Sequence, residues 1–133
     1  SRLVLGLPTF IADSEQEAIN QSRKYLEEDM KMFAPLGFFR AFTPEMIEAL
    51  GDPKRAPTAG LPTMEETVAS GAWVCGTAEH ITERIMEIQE KFPGLEYMHV
   101  GCSRQGVPLD VMIEQLEWFG KEVMPKFKVA TPA

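Results

Sequence analysis

The segment of this chain best equipped for chemistry is Gly101-Cys102-Ser103-Arg104-Gln105-Gly106. Two glycines frame a thiol, a hydroxyl and a guanidinium. Arg104 can clamp an anion through two parallel N–H bonds, and Ser103 can add a hydroxyl beside it. An ordinary polar loop carries the same residue types, so the segment marks a place rather than a reaction. Gly76-Thr77 marks a second place. A glycine before a helix-capping threonine brings backbone N–H groups and the positive end of a helix to one point, which suits a phosphate. Turn geometry alone also favours glycine there.

Phe38, Phe39 and Phe42, with Met46 and Trp73, can line an apolar pocket, and eight methionines would make such a pocket adaptable. Packing of the core is the competing use for the same side chains. His99 sits among apolar neighbours in a strand. It is either a satisfied core histidine or, in a barrel, a side chain directed into the mouth that can hydrogen-bond a ligand. His80 falls in the first turn of a helix and is expected to face solvent. The two histidines have no metal-ligand spacing with any cysteine or carboxylate, so no metal site is expected. A P-loop, a three-glycine dinucleotide fingerprint and a Gly-x-Ser-x-Gly elbow are all missing from the sequence. Glu65-Glu66 and Glu27-Glu28-Asp29 read as helix caps and solvated faces.

These residues need a scaffold, and the hydrophobic pattern supplies one. Leu3 to Ala12 reads as a strand interrupted or ended near Pro8, because proline cannot donate to a sheet ladder. Asp13 or Ser14, each with Gln16 or Glu17 three residues on, caps a helix. Its apolar face runs through Ala18, Ile19, Ser22, Tyr25, Leu26, Met30 and Phe33. Residues 37–72 differ in character and read as an insertion. Thr43-Pro44 opens a short helix over Glu45 to Leu50, and a Pro- and Ala-rich loop runs from Lys54 to Pro62. Thr63 and Glu66 then form a capping box.

From Trp73 the pattern becomes strand, helix, strand, helix. Trp73-Val74-Cys75 is one short strand. Thr77 caps a helix with the stripe Ile81, Ile85, Ile88 and Phe92, and Pro93-Gly94 ends it. Leu95 to Val100 is the next strand. Pro108 opens a last helix, whose Leu109, Met112, Ile113, Leu116, Phe119, Val123 and Met124 are expected to face the core. Single buried strands alternating with helices predict a parallel sheet, with the site in loops at the carboxyl ends of the strands. The run Trp73–Cys75 is expected to pair side by side with Leu95–Val100.

Composition limits the partners. The 133 residues carry 20 acidic and 13 basic side chains, a net charge of −7. That balance argues against nucleic acid and against anionic membrane surfaces. No run approaches the roughly 20 apolar residues of a membrane span. Cys75 and Cys102 are too few for a disulfide scaffold and fit buried thiols in a reducing cytoplasm.

Gly76-Thr77-Ala78-Glu79-His80-Ile81 with Arg84-Ile85, the strand Leu95 to Val100, and Leu116-Glu117-Trp118-Phe119 with Glu122-Val123-Met124-Pro125-Lys126-Phe127 together resemble the carboxyl end of the bacterial luciferase-like flavin monooxygenases. Pro8 to Ala18 also resembles a late strand–helix unit of that family. The resemblance implies a carboxyl-terminal fragment of a (β/α)₈ TIM-type barrel, with about three parallel strands, helices and a helical insertion. It implies reduced flavin mononucleotide, or a deazaflavin relative, with molecular oxygen and a small organic substrate. A flavin reductase is an implied partner. Gly76, Thr77, Gly101, Ser103 and Arg104 are then the cofactor-binding candidates, and Phe38, Phe39, Phe42, Trp73 and His99 the substrate-pocket candidates. No catalytic residue carries over. A part-barrel exposes strand edges, so self-association into a homo-oligomer is expected. The alternative is a shortened, non-catalytic homologue that binds a ligand or a partner protein.

Overall fold

A computed structural model of the chain describes residues 3–33, 36, 43–50, 52, 54, 63–102 and 106–127. Their order is β1 (Leu3–Ile11), α1 (Glu15–Phe33), α2 (Pro44–Leu50), α3 (Met64–Ala69), β2 (Val74–Gly76), α4 (Ala78–Lys91), β3 (Leu95–Gly101) and α5 (Leu109–Trp118). A π-helical segment over Phe119–Val123 and a 3₁₀ turn over Met124–Phe127 continue α5. The fold is mixed α/β, and the described residues form one open sheet of three parallel strands with helices around it.

Local chemistry explains the helix starts. The Ser14 hydroxyl accepts from the Glu17 N–H at the head of α1. Thr43 does the same for Met46 at α2, with Pro44 as first helical residue. Thr63 and Glu66 make both bonds of the capping box at α3. Thr77 accepts from the His80 N–H at α4. The helix α5 has no side-chain cap; Pro108 precedes it.

The strand order is β2-β1-β3, with β1 in the middle. The side-by-side pairing expected for the Trp73 and Leu95 runs is therefore corrected: both are parallel and in one sheet, but β1 separates them. Thr9, Phe10 and Ile11 pair with Val74, Cys75 and Gly76. Residues Leu3 to Pro8 pair with Leu95 to Gly101, with an irregularity between Leu3 and Val4.

Pro8 does not interrupt β1, contrary to the sequence expectation. The Ala12 N–H bonds the Gly76 carbonyl. Even-numbered residues at this end of β1 therefore turn their N–H toward β2, because direction alternates along a strand. Pro8 lies one residue before the β2 pairing begins at Thr9, so its missing donor has no ladder to break.

Apolar side chains divide into two clusters. In one, Phe10, Ala18, Ile19, Tyr25, Leu26, Met64, Trp73 and Cys75 gather with Cys102 and Val107. This joins α1 and α3 to the sheet. In the other, Leu7, Ile11 and Val74 meet Ile81, Ile85 and Ile88 of α4 and Val123. The i, i+4, i+7 spacing of those isoleucines makes one stripe, and each buried side chain of this size is worth about 1.5–3 kcal/mol. Phe92 leaves the stripe: it caps the carboxyl end of α4 and is exposed.

Helix α5 departs furthest from expectation. Met112 and Phe119 are partly buried and Val123 fully so, but Leu109, Ile113, Leu116 and Met124 are exposed. Gln115 is buried instead. Among the described residues no helix is long and apolar enough to cross a membrane. The expected loop from Lys54 to Pro62 lies almost wholly outside the described residues.

Candidate functional site

The chemistry of this sheet concentrates where β3 stops short. The β1–β3 pairing ends at Pro8–Gly101, yet β1 continues to Ile11. Among the described residues no strand lies on the β3 side of Ile11, and two buried backbone groups need partners. The Gln115 side chain supplies them. Its Oε1 accepts from the Ile11 N–H at 2.7 Å, and its Nε2 donates to the Ile11 carbonyl at 2.8 Å. A planar amide presents an acceptor and a donor side by side, as a neighbouring peptide would. The two bonds also set the rotation of α5: Gln115 turns inward, so Ile113 and Leu116 turn out.

Between the carboxyl ends of β1 and β3 and this stretch of α5 lies a crevice of about 540 Å³. Leu7, Ile11, Val100, Met112 and Phe119 are among its walls, and His99, Gly101, Cys102 and Gln115 bring its polar groups. His99 is exposed rather than buried as a core histidine. A Cβ at Gly101 would meet nothing within 4 Å, so its backbone is open to an incoming molecule. Burial pushes the Cys102 thiol up, partly offset by a backbone hydrogen bond, so it stays protonated at neutral pH. Among the described lining residues there is no carboxylate, lysine or arginine. The described part of the lining is therefore mostly apolar, with His99 its one titratable side chain besides the Cys102 thiol.

The remaining candidates are dispersed. Gly76 and Thr77 are not in the crevice. The Gly76 carbonyl is taken by Ala12, and a Cβ at Gly76 would come within 2.8 Å of His80 Cδ2. His80, exposed as expected, covers this glycine. Trp73 is buried beside Met64 and Phe10 in the core and does not join His99. It lines a separate polar hollow of about 560 Å³ with Glu15, Glu65, His80, Glu83 and Arg84. Carboxylates there disfavour a phosphate at the start of α4. Ser103, Arg104, Phe38, Phe39 and Phe42 lie outside the described residues. Met46 is half-buried on α2.

Beside this hollow Arg23 holds Glu65 through two bonds, Nη1 to Oε2 at 2.8 Å and Nη2 to Oε1 at 2.5 Å. The guanidinium pushes the Glu65 carboxyl down to about 2. Burial raises the Cys75 thiol to about 11, against a weaker opposing bond from Ser22. Both cysteines are free and buried, as the sequence suggested. Groups of three or more metal-ligating side chains do not occur among the described residues.

Sequence reasoning singled out His99 and Gly101 but missed Gln115, Met112 and Phe119. A signal for them was present: 112, 115 and 119 share one helical face, and a lone glutamine on an apolar face is a buried hydrogen-bonding group. Comparison with protein-family models and with curated proteins finds no match for this chain.

Proposed function

We propose that this chain is the carboxyl portion of a luciferase-like flavin-dependent monooxygenase, and that the crevice between β1, β3 and α5 is its share of the flavin site. The observation that carries this reading is the crevice itself. It is about 540 Å³, its described walls are mostly apolar, and it opens at the carboxyl ends of parallel strands. Small-molecule sites have about this size and make-up, at roughly 300–1,000 Å³. The order β2-β1-β3 adds a second support, by analogy of fold alone. Open parallel sheets bind ligands where the strand order reverses, and flavin mononucleotide occupies the β1/β3 position in sheets that begin with this order.

The described lining suits the flat ring of a flavin better than its phosphate. Leu7, Val100, Met112 and Phe119 would flank the ring and exclude water. The open backbone at Gly101 allows close approach, and the exposed His99 imidazole can exchange a hydrogen bond at the rim. A cation for the phosphate would have to come from elsewhere, with Arg104 the candidate. Reduced flavin, when bound, supplies the reactivity toward oxygen; the chain's residues orient and shield it. A reductase would deliver that flavin. The barrel form of this reading makes one further demand. Consecutive barrel strands are neighbours, whereas β1 stands between β2 and β3 in this chain, so the order supports flavin binding at an open sheet and counts against the barrel form.

Self-association belongs to the same proposal. Among the described residues β2 and β3 each pair on one side only, and Val4, Tyr97, Leu109, Ile113 and Leu116 are exposed. Free parallel edges beside apolar surface favour a second body. Sedimentation of the purified chain is expected to give a dimer or larger species. A monomer at all concentrations would remove this part.

Anaerobic titration with reduced flavin mononucleotide, followed by oxygen uptake, tests the main reading. The expected result is saturable binding that Met112→Trp, by filling the crevice from α5, abolishes. Absence of binding to the wild-type chain would end it. A second reading, a ligand-binding module without catalysis, is favoured by one observation: the crevice thiol is held protonated and the described lining has no carboxylate. Binding without oxygen uptake would select it.

A further inference from the structure

We infer that Gln115 sets the specificity of the crevice, and that its ligands are flat apolar rings bearing a carbonyl oxygen. This rests on the crevice being a ligand site. A glutamine amide has one carbonyl and two N–H donors. The carbonyl and one N–H are spent on Ile11, at 2.7 and 2.8 Å. The second N–H has no partner among the described residues. Gln115 is only 7% exposed, and it lines the crevice.

The donor's polarity is locked. Flipping the amide would set Nε2 against the Ile11 N–H and Oε1 against the Ile11 carbonyl, replacing two bonds with two repulsions. The crevice wall therefore offers a donor at this point and cannot exchange it for an acceptor. A buried donor left unused is costly, so an acceptor atom on the ligand is rewarded and a C–H in its place is not. The described wall around Gln115 has no lysine or arginine to pair with a carboxylate. The apolar walls disfavour a strongly hydrated ligand. A neutral ring carbonyl satisfies all three conditions.

Indanone and indane, the same bicycle with and without a carbonyl, are suitable probes. Each is titrated into the nitrogen-labelled chain, and the backbone amides of Leu7, Val100 and Phe119 are followed with the Gln115 side-chain amide. The Gln115 signal is assigned by its loss in Gln115→Met. The expected result is that indanone binds roughly three- to tenfold more tightly than indane, the value of one net hydrogen bond. This holds although indane is the more apolar of the two. One of the two Gln115 amide protons should move downfield with indanone alone. Equal affinities, or an unmoved Gln115 amide while Leu7, Val100 and Phe119 respond, overturn the inference and leave the crevice as a site. No response of those backbone amides to either probe removes the crevice as a site and the inference with it.

Discussion

Helices α4 and α5 look alike as sequences, and the fold treats them differently. Each carries apolar residues at helical spacing after a strand and a glycine. Helix α4 buries its stripe, with Ile81 fully enclosed and Ile85 and Ile88 nearly so. Helix α5 leaves Leu109, Ile113 and Leu116 exposed and buries a glutamine. The difference lies in what each helix packs against. Opposite α4 the strand backbone is paired and offers only side chains, so the apolar stripe wins. Opposite α5 the β1 backbone runs past the end of β3, and two polar groups need partners. An unpaired buried backbone group costs about 1–3 kcal/mol, comparable to burying an aliphatic side chain, so the amide can set the rotation.

Several substitutions would break or sharpen that contrast, beginning with the largest effect. Ile81→Ala empties a fully enclosed position and should lower unfolding free energy by about 2–5 kcal/mol, read by urea denaturation. Ile113→Ala, at the comparable place on α5, should change it by less than about 0.5 kcal/mol. Equal losses at the two positions would mean that the α5 face is covered and the contrast is false.

Gln115→Met keeps the volume and removes both bonds to Ile11. A loss of about 2–4 kcal/mol is expected, roughly 1–2 for each group left unpaired. Hydrogen exchange at the Ile11 amide should quicken more than at Phe10, whose N–H faces β2. Unchanged exchange at Ile11 would show that water or another group takes over from the amide.

A smaller effect concerns the helix starts. Thr77→Ala removes the side-chain bond that caps the head of α4 and should cost about 1 kcal/mol. Helix α5 has no such bond to lose. A Pro108→Ser change that adds about 0.5 kcal/mol or more by creating a cap would sharpen the comparison.

The smallest effect is a pH dependence. Glu65 has its folded pKa lowered to about 2 from a usual 4.5 by Arg23. A lowered carboxyl pKa stabilises the fold above the unfolded value. The contribution is therefore intact above about 4.5 and lost as pH falls toward 2. The pair is exposed, so its contribution is small and shrinks in salt. Comparing acid unfolding of the chain with Glu65→Gln at low and high salt checks this. A difference that survives high salt would place the pair in a drier setting.

Much of the scaffold was legible because its causes are local. Ser14, Thr43, Thr63 and Thr77 announce helix starts through bonds that reach only three residues. The isoleucines of α4 show their shared face through spacing alone. The site was legible only in part. His99 and Gly101 stood out by position at a strand end, but Trp73 and Thr77 stood out for the same reason and went elsewhere. Nothing in the run Trp73–Gly76 tells that it will flank β1 rather than β3.

Spacing and capping chemistry thus commit this chain to alternating strands and helices and to the parallel direction of its strands. The order β2-β1-β3, the length by which β1 outruns β3, and the inward turn of Gln115 arise only when distant segments meet. Helical periodicity says which residues share a face, but the choice of the buried face depends on the partner surface. Here that surface is an unpaired backbone 104 residues away from the glutamine that completes it.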